Sequence, residues 1–139
     1  MKAAVVYWSG TGNTEAMANA IAEGISGKGA EVTVFIASEF GADKVSEFDV
    51  LAFGCPAMGA EVLEEDEFEP MFTEVEGSLK DKKVALFGSY GWGDGEWMRS
   101  WEERCINGGI TLAAESLIIN DTPDDDGIAK CKEFGEALI

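Results

Sequence analysis

Three short, uninterrupted apolar runs, Ala3–Tyr7, Val50–Phe53 and Val84–Phe87, each break off at a loop rich in glycine, serine or proline. Runs that are apolar at every position, rather than at every second one, suit strands covered on both faces, as the central strands of a parallel sheet are. Two weaker candidates accompany them. Glu31–Ala37 alternates Val32, Val34 and Ile36 with Glu31, Thr33 and Phe35, as an edge strand does, and Thr111–Ile119 supplies a fifth strand. Between the first two strands, Met17, Ala18, Ile21, Ala22 and Ile25 recur at helical spacing before the stop signals Gly27 and Gly29. A second helix is predicted from near Asp66, with Pro70 tolerated in its first turn and Phe68, Met71, Phe72, Val75 and Leu79 on its buried side. Helices are also predicted from Glu96 to Cys105 and from Asp124 to Leu138, the latter opened by Asp124, Asp125 and Asp126. Five strands alternating with helices in 139 residues predict one domain, residues 1–139, with a doubly wound α/β sheet. In such a sheet ligands gather at the carboxyl ends of the strands, so the loops after the first, third and fourth strands carry the functional argument.

Composition removes several classes of function. Ten basic against 27 acidic residues leave a net charge of −17, which repels phosphate backbones and anionic lipid surfaces. Nucleic acid and membranes are therefore not expected as partners. With no histidine, the chain lacks an imidazole base, a Ser-His-Asp or Cys-His nucleophile, and a histidine-ligated metal. Cys55, Cys105 and Cys131 are odd in number and form no C-x-x-C pair, which fits reduced thiols better than a disulfide scaffold or an iron–sulfur site. The first apolar run is too short for a signal-peptide core, and no other run approaches the roughly 18 residues of a membrane span. A soluble cytoplasmic monomer is expected.

The loop after the first strand, Ser9-Gly10-Thr11-Gly12-Asn13-Thr14, joins a buried strand to an amphipathic helix. Its backbone N–H groups and hydroxyls can converge on a phosphate at the helix N-terminus. It matches neither common nucleotide fingerprint. A Walker loop ends in Gly-Lys-Ser/Thr, whereas Thr14 is followed by Glu15, which also stands where a dinucleotide motif needs its third glycine. No lysine or arginine lies between Lys2 and Lys28, so any phosphate here is held by neutral donors and the helix dipole. The competing reading is a polar turn in which Asn13 or Thr14 merely caps the helix.

After the third strand the chain reads Gly54-Cys55-Pro56-Ala57-Met58-Gly59-Ala60-Glu61, and after the fourth Gly88-Ser89-Tyr90-Gly91-Trp92-Gly93-Asp94-Gly95. The two loops set a polarizable methionine, two large aromatics and many backbone amides beside the phosphate loop, as a flat, hydrogen-bonding heterocycle requires. Either loop alone is equally well a glycine-rich turn over the core, and it is their joint occurrence at three strand ends that favours a ligand.

These segments, with Glu67-Phe68-Glu69-Pro70, make the chain similar to the short-chain flavodoxin family. The match is ordered and runs nearly end to end, weakening at the second strand and after Gly108. The resemblance implies a flavodoxin-like five-stranded parallel sheet of order 2-1-3-4-5 with helices on both faces. It also implies one non-covalent FMN and one-electron shuttling between low-potential redox enzymes in place of ferredoxin, with no catalytic residue and no metal. Carried over by position, Ser9, Gly10, Thr11, Gly12, Asn13 and Thr14 hold the FMN phosphate, with Ser89 as an extra donor. Met58 and Trp92 sandwich the isoalloxazine ring, Glu61 meets its N3 edge, and Tyr90, Gly91 and Gly93 offer backbone groups to the pyrimidine end. Pro56, Ala57, Gly59 and Ala60 complete the site, and the Gly59-Ala60 turn is implied to be the peptide that flips beside flavin N5. Pro56 and Ala60 depart from the family, where a serine and a polar or acidic residue are common.

From Glu61 to Glu76 there are eight acidic residues and no basic one: Glu61, Glu64, Glu65, Asp66, Glu67, Glu69, Glu74 and Glu76. They serve either as a solvated face or as a docking rim for ferredoxin-type redox enzymes, both donors and acceptors. A flavin-dependent oxidoreductase such as a quinone reductase, or a non-redox FMN-binding protein, is the alternative on the same fold. A receiver domain would need acids where Trp8-Ser9 and Gly54-Cys55 stand and a lysine at Asn120, and a small cysteine phosphatase would need an arginine shortly after its nucleophile.

Overall fold

The computed structural model describes residues 1–59 and 61–139. The central apolar runs form strands β1 (Lys2–Tyr7), β3 (Val50–Gly54) and β4 (Lys83–Tyr90), flanked by β2 (Glu31–Ile36) and β5 (Leu117–Asn120). All four pairings are parallel, and the order is β2-β1-β3-β4-β5. Val5 pairs with Val34 on one side and Ala52 on the other, so β1 is central and β2 is an edge, as expected.

The helices are α1 (Asn13–Gly27), α2 (Ala42–Val45), α3 (Phe68–Val75), α4 (Glu96–Asn107) and α5 (Asp125–Ala137). They divide the core into two layers. Beneath α1 and α5 lie Ala3, Val5, Val50, Ala52, Ala85 and Phe87, with Met17, Ile21, Ile25, Cys131 and Phe134 from the helices. On the other face Val6, Leu51, Phe53, Val84 and Leu86 meet Phe68, Phe72, Trp97 and Trp101. Full burial on both faces is why these strands are apolar at successive positions. The helices α1 and α5 touch backbone to backbone, since a Cβ at Gly24 would collide with the Lys132 carbonyl oxygen and one at Gly135 with that of Ile21.

Three expectations need correction, and one further helix was not expected. The fifth strand is confined to Leu117–Asn120, and earlier in its predicted span Leu112 makes an isolated bridge to Val84. The alternation of β2 does not sort its residues as expected, because Val34 and Ile36 are exposed while Phe35 packs with Phe40 and Phe48 at centroid distances of 5.2 and 5.8 Å. The second predicted helix starts at Phe68 rather than near Asp66 and ends at Val75, leaving Leu79 beyond a 3-10 turn at Glu76–Ser78. Ala42–Val45 is helical, although its four residues are too few to show a period.

Candidate functional site

The carboxyl ends of β1, β3, β4 and β5 converge. The Trp8 N–H donates to the Gly54 carbonyl at 3.0 Å, the Ala57 N–H to that of Ser89 at 3.1 Å, and the Asp121 N–H to that of Tyr90 at 2.7 Å. Each bond ties a loop to the end of a neighbouring strand, so the four loops open in one direction.

The first loop enters α1 through Gly12, whose φ of 94° lies in the left-handed region that glycine adopts freely. The Ser9 hydroxyl accepts from the N–H groups of Gly12 (3.1 Å) and Glu15 (3.3 Å), wrapping the loop around the helix start. The N-terminus of a 15-residue helix thus presents partial positive charge, and among the described residues no lysine or arginine lines the two cavities beside it. Thr14 and Ser89 are 1% and 4% exposed, and their hydroxyl oxygens lie 3.0 Å apart, joining α1 to β4. The Asn13 side-chain oxygen accepts from the Thr122 hydroxyl at 3.1 Å, which draws in the loop after β5.

The loop after β3 is pinned on the core side. A Cβ at Gly54 would strike the Phe87 ring, and Trp97 Nε1 donates to the Cys55 carbonyl at 3.1 Å. Burial pushes the Cys55 thiol up to about 12, so it is protonated at neutral pH and takes no nucleophilic part. Beyond it a small hairpin forms, in which the Met58 N–H donates to the Val62 carbonyl at 3.0 Å and the Glu61 N–H to that of Met58 at 2.7 Å. Among the described residues of this turn Glu61 is left-handed, with φ 55°, and Gly59 is not. The Glu61 carboxylate lies against Gly93, where a Cβ would collide with it, so the loops after β3 and β4 meet there. Ala60, the other residue of the expected flip, lies outside the described residues.

The loop after β4 carries Gly93 and Gly95 at φ 85° and 89° and is anchored by Arg99, whose guanidinium donates to the Asp94 carbonyl at 2.8 Å and its carboxylate at 3.0 Å. Trp92 is 64% exposed at the tip.

These loops enclose a cavity of about 280 Å³, at the lower edge of the roughly 300–1,000 Å³ of cofactor sites. Of the residues singled out in the sequence, Gly10, Thr11, Asn13, Pro56, Ala57, Met58, Ser89, Tyr90 and Gly91 line it. Ser9 and Gly12 line an adjoining cavity of about 330 Å³ that shares Trp8 and Gly10 with the first. Gly59 borders a third hollow with Met58 and Glu64, while Glu61 faces α4 in a fourth. Thr14 is behind the loop, and Trp92 and Gly93 stand outside these walls. Trp8 and Asp121 line the main cavity without having been singled out, and the strand-end rule, applied in the sequence only after the first, third and fourth strands, reaches Asp121 when extended to the fifth. Among the described residues no lysine or arginine lines this cavity, and no group of three or more acids and thiols could hold a metal ion.

The acidic segment proves heterogeneous. Glu64 is 5% exposed and does not belong to an exposed rim. Its carboxylate accepts from the N–H groups of Asp66, Glu67 and Phe68 at 2.8, 2.8 and 2.9 Å, capping α3. Burial alone would raise its pKa, but these three donors outweigh it and hold the carboxyl below the ordinary glutamate range. Glu69 and Glu76 pair with Arg104 at 2.8 and 2.9 Å, and Glu74 accepts the Ala42 N–H at 2.7 Å. Glu65, Asp66 and Glu67 remain exposed.

Fold and site together define a doubly wound α/β protein in which an uncharged loop of glycines and hydroxyls at the start of α1 opens onto a cavity at the strand ends. The sequence model of the flavodoxin family matches residues 5–135, and the chain belongs to that family. It is 50% identical over 133 residues to a flavodoxin of Megasphaera elsdenii, covering 96% of this chain and 95% of that protein. A flavodoxin of Clostridium beijerinckii is 49% identical over 134 residues, covering 96% of each chain. The solution structure of two-electron reduced Megasphaera elsdenii flavodoxin superposes with a TM-score of 0.89 at 48% identity, covering 98% of this chain and 97% of that one.

Proposed function

We propose that the whole chain acts as one FMN-binding unit, a cytoplasmic monomer that carries electrons singly at low potential between ferredoxin-type donor and acceptor enzymes. As a flavodoxin it is an electron carrier rather than an enzyme, its cofactor is FMN, and its partners are redox proteins. No helix is long and apolar enough to cross a membrane.

The observation that carries the site assignment is the neutral loop at the start of α1, opening onto a cavity lined by Met58, Tyr90 and Gly91. The donor set suits a phosphomonoester, and the Glu61 carboxylate, seated against Gly93 between the loops after β3 and β4, is an acceptor of the kind a flavin imide N–H needs. Ser9, Gly10, Thr11, Gly12, Asn13 and Thr14 would hold the phosphate, with the Thr14–Ser89 pair fixing the loop from behind. Met58 and Trp92 would cover the ring faces, and Glu61 would meet its polar edge. Bound FMN supplies reversible one-electron chemistry, and the protein tunes it through these contacts. With no cation at the cavity and acids around it, the site opposes added negative charge and lowers the potential of the second electron.

Titrating FMN-stripped protein with FMN and with riboflavin tests the assignment. Loss of even two charge-assisted hydrogen bonds, about 1.5–3 kcal/mol each, makes riboflavin bind at least ~100-fold more weakly. Equal affinity for the two would remove the phosphate-loop reading.

A further inference from the structure

Two buried side-chain atoms lack a hydrogen-bond partner among the described residues, Glu61 Oε1 and Trp101 Nε1. Their chemistry is complementary, since a carboxylate oxygen accepts and an indole N–H only donates. Both residues line one cavity of about 200 Å³ between the 58–62 hairpin and α4, with Val62, Glu69, Trp97 and Arg104 among its walls. Trp101 is 1% exposed, and its ring is held edge-on to Phe68 and Phe72 at centroid distances of 5.4 and 5.6 Å. The ring is thus fixed in the core, with its N–H withdrawn from the surface.

The neighbouring groups narrow the choice of acceptor. Trp97, one helical turn earlier, is already satisfied by the Cys55 carbonyl at 3.1 Å. The Glu69 carboxylate is engaged by Thr73 and Arg104, each at 2.8 Å, and Arg104 itself only donates. Of the two carboxylates on this cavity, only Glu61 has an unclaimed buried oxygen.

We infer that Trp101 is a positioning residue for Glu61, its indole N–H holding one carboxylate oxygen across the shared cavity through one bridging water. The other oxygen is then presented to the cofactor side, so the consequence for FMN rests on Glu61 being the acid that meets the flavin edge. The left-handed backbone of Glu61 makes such a guide useful, because Gly93 alone offers the carboxylate a surface without a side chain.

The link itself is read in the full chain freed of FMN, with ¹⁵N-labelled tryptophan. Glu61→Gln should move the Trp101 indole N–H signal and leave that of Trp97 in place, and an unmoved Trp101 signal overturns the inference. The consequence is read by a double-mutant cycle on FMN affinity. Trp101→Phe keeps the aromatic packing but removes the donor, and should weaken FMN about fivefold in the parent and not at all beside Glu61→Ala. Equal losses in both backgrounds would make Trp101 a packing residue only and overturn the positioning role. If Glu61→Ala changed neither affinity nor potentials, the flavin-edge reading of Glu61 would fail instead, and the indole signal would still decide whether the two residues are joined.

Discussion

Glu61 shows how single residues settle the chemistry of this site. A non-glycine residue at φ 55° costs on the order of 1 kcal/mol, and here it directs a carboxylate at the glycine-lined gap between two loops. Gly93 answers it, being both at positive φ and too close to Glu61 to carry a side chain. Trp92 poses the opposite case, a large aromatic left 64% exposed and outside the cavity walls. The proposed FMN site gives it a role toward the ligand rather than the core. Trp92→Ala is expected to weaken both FMN and riboflavin about tenfold, the scale of one aromatic stack, while changing the stability of the FMN-free protein by less than about 0.5 kcal/mol. Parallel flavin titrations and thermal unfolding of the stripped protein check this, and a large stability loss without an affinity loss would return Trp92 to structural packing.

At the level of elements, α3 depends on a residue outside it. Glu64 lies four positions before Phe68, yet its carboxylate takes up three N–H groups at the helix entrance, a service that the exposed acids following it do not perform. Its pKa is lowered in the folded protein, so the stability it contributes is fully present above the ordinary glutamate value and is lost as pH falls through the lower folded value. Glu64→Gln is expected to cost about 1–2 kcal/mol at pH 7 and to flatten the decline in stability between about pH 5 and pH 3. Denaturant unfolding across that range measures both, and a variant as acid-sensitive as the parent would contradict the capping role. The same element marks the limits of what a sequence discloses. The strands β1, β3 and β4 were legible because burial on both faces writes an unbroken apolar run, and the loop into α1 because its glycines and hydroxyls are consecutive. Glu64 read as one more acid in a run, β5 is too short to announce its limits, and α2 has a single turn. The Thr14–Ser89 and Asn13–Thr122 bonds join residues 75 and 109 positions apart, and no local pattern encodes such pairings.

Across the whole molecule the charge is −17, and it is unevenly spread. Lys80, Lys82 and Lys83, interleaved with Asp49 and Asp81, border a hollow at the end of the sheet where β1 and β4 begin, opposite the strand ends that form the site. Near the site, Glu65, Asp66 and Glu67 stay exposed beside the hollow lined by Met58 and Gly59. Such a field orients a basic partner during encounter. Neutralising these three acids together is expected to slow electron transfer at low salt and flatten its ionic-strength dependence, as stopped-flow mixing with a ferredoxin-accepting reductase at matched driving force measures. An unchanged salt slope would leave the run a solubility feature. The same field opposes reduction, since each acid about 10 Å from an added negative charge disfavours it by ~0.8 kcal/mol at an effective dielectric of ~40. Held in this site, FMN would carry single electrons at low potential, and a spectroelectrochemical titration of the FMN-loaded protein is the direct measurement. Two separated one-electron steps are expected, the second well below that of free FMN, whereas a single two-electron step at the potential of free FMN would contradict a one-electron carrier.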